Sequence, residues 1–141
     1  MNEDWVETTL GSVAHFVNGY PFKPADLDGV GLPVIRIRQL LDPDVEPDRS
    51  DVQVPSRHHL HDGDLVFSWS GTLASRIWDR GPAVLNQHLF KVLERDGVSR
   101  GWLHLALDYA VGELSTKTHG TTMKHVTKKV LEEHPVHLPP L

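Results

Sequence analysis

Apolar positions along this chain recur with two different periods. In GWLHLALDYAVGEL, Leu103, Ala106, Leu107, Ala110, Val111 and Leu114 keep the i, i+3, i+4 spacing that lays one apolar stripe along a helix. Alternation with period two marks three earlier segments as strands. LPVIRIRQL predicts a strand with Ile35 and Ile37 on one face and Arg36 and Arg38 on the other, so that one face is core and the other cationic. GDLVFSWSG predicts a second, entered through the turn dipeptide Asp62-Gly63 and stopped at Gly71, with Leu65, Phe67 and Trp69 opposite Val66, Ser68 and Ser70. VLNQHLFKVLER predicts a third, with His88, Phe90 and Val92 on one side and Gln87, Leu89 and Lys91 on the other. ETTLGSVAHFV suggests a short first helix capped by Thr8 or Thr9 and broken at Asn18-Gly19. LDPDVEPDRSD, rich in proline and aspartate, is expected to be a surface loop. A last short helix should begin at Thr127, with Val126 and Leu131 as a hydrophobic staple, and end at Pro135, after which VHLPPL runs extended. The sum is a mixed α/β or α+β domain: a small β-sheet with helices packed on it.

Composition fits one soluble globular domain: 141 residues, 39% hydrophobic and 23% charged. No apolar run approaches the roughly 20 residues that span a bilayer, and the N-terminus has neither a basic nor an apolar leader region, so a cytoplasmic location is expected. The absence of cysteine excludes disulfides, thiolate metal sites and cysteine nucleophiles. A net charge of -5 argues against a uniformly basic nucleic-acid binder, but charge is uneven. Five acids lie between Asp42 and Asp51, whereas Gly120 to Lys129, GTTMKHVTKK, has three lysines and no carboxylate.

Catalytic patterns are missing. There is no Gly-Lys pair for a phosphate loop, and Gly29-Val30-Gly31 runs into Leu32-Pro33 rather than a helix, which excludes a dinucleotide fingerprint. No lysine follows an acid at two residues' distance, and no Asn/Asp-Pro-Pro-Tyr segment is present, so neither a common metal-dependent nuclease nor that methyltransferase chemistry is expected. His58, His59 and His61 with Asp62 and Asp64 could hold zinc or manganese, or could be a polar loop before a strand. Ser70 stands at a strand end, a place suited to a nucleophile, yet GxSxG is not matched.

Binding chemistry is better represented. Ser70-Gly71-Thr72 and Gly120-Thr121-Thr122 are small hydroxyl-bearing turns of the kind that let backbone NH groups approach phosphate. Arg36, Arg38, Arg76, Lys124, Lys128 and Lys129 could supply cations around them, although a solvated charged face explains any one alone. Asn18, Gln39, Gln87 and His88 are side chains able to read base edges. Trp5, Phe16, Phe22, Phe67, Phe90 and the Leu103 to Leu114 stripe are read as structural; Trp69 and Trp78 stay open, with core favoured over a base contact for Trp69 by its shared face with Leu65 and Phe67.

WVETTLGSVAHFVNGYPFKPADL, GLPVIRIRQLL, GDLVFSWSGT, LNQHLFKV and HGTTMKHVTKKVLEEHPVHLPPL, in that order, resemble a target recognition domain of the specificity (S) subunit of type I restriction-modification enzymes. The resemblance spans nearly the whole chain and ends in a Pro-Leu-Pro-Pro-Leu-like exit, here His137 to Leu141. It implies the target recognition domain fold and a non-catalytic reader of double-stranded DNA, one half of a split target. Adenine methylation with S-adenosylmethionine would belong to methyltransferase (M) subunits, and ATP-driven translocation and cleavage to the restriction (R) subunit. No cofactor, metal, membrane or small-molecule substrate is expected for the chain itself. The expected DNA-facing residues are Arg36, Arg38, Ser70, Thr72, Arg76, Gln87, His88, Thr121, Thr122, Lys124, His125 and Lys128. Residues 1–141 are expected to form a single recognition domain, without the spacer helix and second domain with which the family continues. Two other readings stay open: an interaction domain or remnant subunit that keeps the fold without binding DNA, and a His-rich metal-dependent hydrolase.

Overall fold

The computed structural model describes residues 5–69, 71–117 and 127–139. The elements run β1 (Val6–Thr9), α1 (Leu10–Val13), β2 (Ala14–Asn18), β3 (Leu32–Ile35), α2 (Ile37–Leu41), β4 (Asp48–Ser50), β5 (His59–Leu60), β6 (Leu65–Ser68), β7 (Ala74–Ile77), β8 (Ala83–Leu85), β9 (Leu89–Glu94), α3 (Arg100–Lys117), α4 (Lys128–Glu133) and β10 (Pro135–Leu138). They build an antiparallel sheet in the order β2-β9-β6-β7, a mixed sheet in the order β4-β3-β8-β5 in which β3 and β8 are parallel, and a two-stranded pair of β1 with β10.

The central sheet is covered on both faces. From β6 and β9, Leu65, Phe67, Phe90 and Val92 face Leu103, Leu107, Ala110 and Leu114 of α3, together with Leu10, Phe16 and Leu131. Val66 and Leu89, from the opposite face, pack with Ile35, Leu40, Leu60, Trp78, Ala83 and Leu85 of the second sheet and its flanks. The alternation of Leu65-Val66-Phe67 therefore separates two cores rather than a core from solvent, and β6 is buried throughout. Fully burying a side chain of the size of Phe67 or Leu65 stabilises by about 1.5–3 kcal/mol. The helical stripe is as the periodicity predicts: Leu103, Leu107, Ala110 and Leu114 are buried, while Leu105 and Tyr109 face outward.

Helix α3 is fixed at its start by side chains. Ser99 Oγ accepts from Trp102 N at 3.3 Å, and Arg100 grips Glu94 with Nε and Nη2 at 2.9 and 3.0 Å while Nη1 donates to Gly63 O. That guanidinium holds the Glu94 carboxyl below the ordinary carboxylate range. At the last helix, Thr127 caps α4 as expected, its Oγ1 accepting from Val130 N at 3.2 Å, and extended β10 follows from Pro135. The staple's Val126 lies outside the described residues.

Several sequence expectations fail, some through long-range pairing and some through a local side-chain-to-backbone bond. The proposed first helix is β1, the single turn α1 and β2, because Val6–Thr9 pairs with β10 and Ala14–Asn18 with β9. Thr9 stands at the cap position of α1, but its hydroxyl meets Ser12 Oγ rather than a backbone NH. The LPVIRIRQL strand stops at Ile35, because Gln39 Oε1 accepts from Arg36 N at 3.0 Å and starts α2, so no cationic strand face forms. VLNQHLFKVLER is broken by a turn: Asn86 Oδ1 accepts from His88 N, and the chain passes from β8 in one sheet to β9 in the other. The acidic loop contains β4, which pairs with β3. Trp5, read as structural, is 38% exposed. Among the described residues, no helix is long and apolar enough to cross a membrane.

Candidate nucleic-acid interface

The crossing from β8 to β9 places several of the polar candidates together. Register puts Asn18, at the end of β2, opposite Phe90, and Ser68, at the end of β6, opposite Leu89. The ends of β2 and β6 and the start of β9 thus share one rim of the central sheet, and Asn86, Gln87 and His88 lie along it. The parallel β3 and β8 end at the same place, where Asn86 N donates to Ile35 O at 3.0 Å. Arg36, the next residue, therefore borders this rim.

The rim is held rigidly from beneath. Gly19 N donates to Leu89 O, Tyr20 N to Leu85 O at 2.7 Å, and Asn18 Nδ2 to Gln87 O at 3.2 Å. A Cβ on Gly19 would come within 2.1 Å of Asn86 O, so the two backbones approach as only glycine permits. Buried His58 sits 2.9 Å by Nδ1 from Asn18 O and edge-on to Tyr20. Burial pushes its pKa down, which favours the neutral ring whose Nδ1–H donates to that carbonyl. Above this scaffold Asn18, Gln87 and His88 are exposed. Trp69, half-buried, stacks on Phe90 with ring centroids 5.6 Å apart and leans on His88 at 5.9 Å. Beside it the β6–β7 hairpin turns through Gly71 at φ +78°, with Ser68 Oγ donating to Thr72 O at 2.6 Å.

The arginines are distributed differently. Arg36 is paired to Asp48 Oδ2 at 2.7 Å, so part of its charge is already met. Arg38 is exposed on α2. Arg76, on edge strand β7, donates to Ser75 O and lines a groove with Leu40, Pro43, Trp78 and Arg80. Arg80, which the sequence reading passed over, donates to Gln39 O and Leu40 O at the end of α2 and lies 4.4 Å over the Trp78 ring. Gln39 is no base reader: it is buried, with both ends of its amide bonded to backbone. Lys128 opens α4, whose Glu132 packs on Gly11, the α1 side of β2, and no described contact joins it to the rim. Ser70, Thr121, Thr122, Lys124 and His125 lie outside the described residues.

The histidine-rich loop is held by other bonds. His58 is tied to Asn18 O, the His61 backbone N and the Gly81 backbone N donate to Asp64 and Asp62, and His59 O accepts from Lys91 Nζ. Among the described residues, no group of three histidine, aspartate or glutamate side chains converges on a common point. What the sequence did not reveal at the rim is Asn86, the close backbone approach at Gly19 and the partial exposure of Trp69. The adjacent Asn18-Gly19 was visible as a breaker, but its partner across the crossing was not.

Comparison with known proteins decides the family. The family described as type I restriction modification DNA specificity domain matches residues 2–141. The chain belongs to that family. This specificity domain is 28% identical over 144 residues to the type I restriction enzyme EcoBI specificity subunit of Escherichia coli, covering all of this chain and 30% of that one. Its fold is shared with a chain from a type I restriction-modification system studied for complex assembly and conformational transition (TM-score 0.74, 24% identity, 100% of this chain and 35% of that one). It is shared also with the HsdS subunit of Thermoanaerobacter tengcongensis (TM-score 0.71, 22% identity, 99% and 34%). The specificity domain thus spans about a third of the length of the relatives it matches.

Proposed function

We propose that this chain is a non-catalytic DNA-recognition domain, reading one half of a split target in double-stranded DNA for a type I restriction-modification complex. The observation that carries the reading is the rim: Asn18, Gln87 and His88 exposed side by side on a backbone braced by Gly19, Asn86 and His58. Amides and imidazoles held in fixed register can match donor and acceptor patterns in the major groove, and rigidity turns contact into discrimination. Thr72 and Ser70, with Arg36, Arg38 and Arg76 and the segment Thr121, Thr122, Lys124 and His125, supply phosphate contacts around it. Methyl transfer is assigned to adenine methyltransferase partners, and restriction to the ATP-dependent subunit recruited through them. The domain works in the cytoplasm as one recognition unit over residues 1–141, with no cofactor or small-molecule substrate of its own.

The test is selection of bound sequences from a randomised duplex library, with and without the methyltransferase partner. A recognition domain enriches a short motif, and Gln87→Ala or His88→Ala alters the preferred base at one position. A domain that served only protein interaction would enrich none.

A further inference from the structure

Between the exposed amides of the rim lies an uncharged depression of about 430 Å³, lined by Asn18, Gly19, Pro21, Trp69, Gln87 and His88. Its lining is mostly apolar, and among the lining residues Pro21, Trp69 and His88 bring rings while Asn18 and Gln87 bring amides. Among the described residues no lysine or arginine lines it, so it is unsuited to phosphate. Trp69 already stacks on Phe90, with centroids 5.6 Å apart and rings 28° from parallel, and His88 leans against it at 5.9 Å and 54°, so the indole is engaged by two neighbouring rings. In the major groove the base edges are polar apart from the C5-methyl group of a pyrimidine.

We propose that this depression receives the C5-methyl of a pyrimidine, making Pro21 and His88 specificity-determining residues. The inference rests on the DNA-reading function proposed above and refines it. The methyl enters between the proline and the two aromatic rings, while Gln87 lies within reach of the neighbouring base edge. Two natural sources carry that methyl, thymine and 5-methylcytosine, and the polar context of the pocket serves either.

The experiment begins with selection by the full chain and its methyltransferase partner from two duplex libraries, one unmodified and one with every cytosine C5-methylated. Each thymine of the enriched motif is then replaced by deoxyuridine, and each 5-methylcytosine by cytosine, changes that remove the methyl alone. Loss of one buried methyl should weaken binding about fourfold at one position and little elsewhere. That position should lose its sensitivity in Pro21→Ser and in His88→Ala, both exposed residues whose replacement should leave the thermal midpoint nearly unchanged. Thymine at the sensitive position in both libraries identifies thymine as the source; a motif position enriched only in the methylated library identifies 5-methylcytosine. A motif with no methyl-sensitive position, or with sensitivity that survives both substitutions, overturns the pocket assignment and leaves DNA reading intact. Failure to enrich any motif overturns both.

Discussion

Gly19 and Gly71 look equivalent in the sequence, since each follows a polar residue at the end of a strand, but different forces select them. Gly71 needs glycine for its backbone angle, φ +78°, and a Cβ there would meet nothing within 4 Å. Gly19 needs it for space, because backbone atoms of Leu85 and Asn86 lie within 2.4 Å of where a Cβ would stand. Gly71→Ala should therefore cost about 1 kcal/mol, the left-handed penalty. Gly19→Ala should cost about 3 kcal/mol, at the upper end for overpacking, since both neighbours are backbone of the crossing and cannot swing away. Urea unfolding of the two variants checks the order. His58 gives a second residue-scale expectation. Its folded pKa lies below its unfolded value, so the unfolded chain binds the proton more readily and stability rises with pH across the interval between the two. The stabilisation is present above the ordinary imidazole value of about 6.5 and is lost as pH falls below it toward the depressed one. The fall in thermal midpoint between about pH 7 and 5 should be shallower in His58→Gln, as seen in parallel melts across that interval.

Among the elements, α3 and the β8–β9 crossing illustrate what a local pattern can carry. The stripe from Leu103 to Leu114 needs no partner to be recognised, because 3.6-residue periodicity is internal to the helix. Its anchoring is not internal: Arg100 reaches Glu94, the last residue of β9, and the carbonyl of Gly63, in the turn that leads into β6. Arg100→Met should lower stability by about 1–2 kcal/mol, toward the lower figure because the pair is partly solvent-screened, with α3 otherwise intact by circular dichroism. The crossing was legible only in part. Asn86-Gln87-His88 interrupts an otherwise strand-like run by one side-chain-to-backbone bond and by a switch of sheets, and neither leaves a periodic trace. Arg36 and Arg38 failed as a strand face for a similar reason, a capping amide three residues on outweighing an alternating pattern of four.

Over the whole molecule, the N-terminal strands pair with distant parts of the chain: β2 with β9 in the central sheet, and β1 with β10 in the separate two-stranded pair. Such non-local pairings explain why the N-terminal segment was misread as a helix, for its strand partners lie at the other end of the sequence. They also decide the recognition surface, since the rim exists only where β2, β6, β3 and β8 end and β9 begins. Binding at this scale is expected to be electrostatically delicate, because a chain of net charge -5 must place its few cations where phosphate lies. The logarithm of affinity for a cognate half-site should fall with log salt by roughly 0.9 for each phosphate contact, read from titrations at several salt concentrations. Lys124→Glu should abolish binding to that half-site while moving the melting temperature by no more than about two degrees; undiminished binding would remove the Gly120 to Lys129 segment from the interface.

By itself the sequence determined what depends on neighbours along the chain: the stripe of α3, the Thr127 cap, the β6 run, the absence of catalytic motifs, and through its ordered motifs the family. Tertiary structure alone decided that β6 has two buried faces, that Arg36 is partnered by Asp48, that Gln39 is interior, and that Asn18, Gln87, His88 and Trp69 meet. Periodicity and capping are local properties that a linear string records. The meeting of four strand ends is set by long-range backbone pairing and by a close approach at Gly19, which become visible only when the chain has closed on itself.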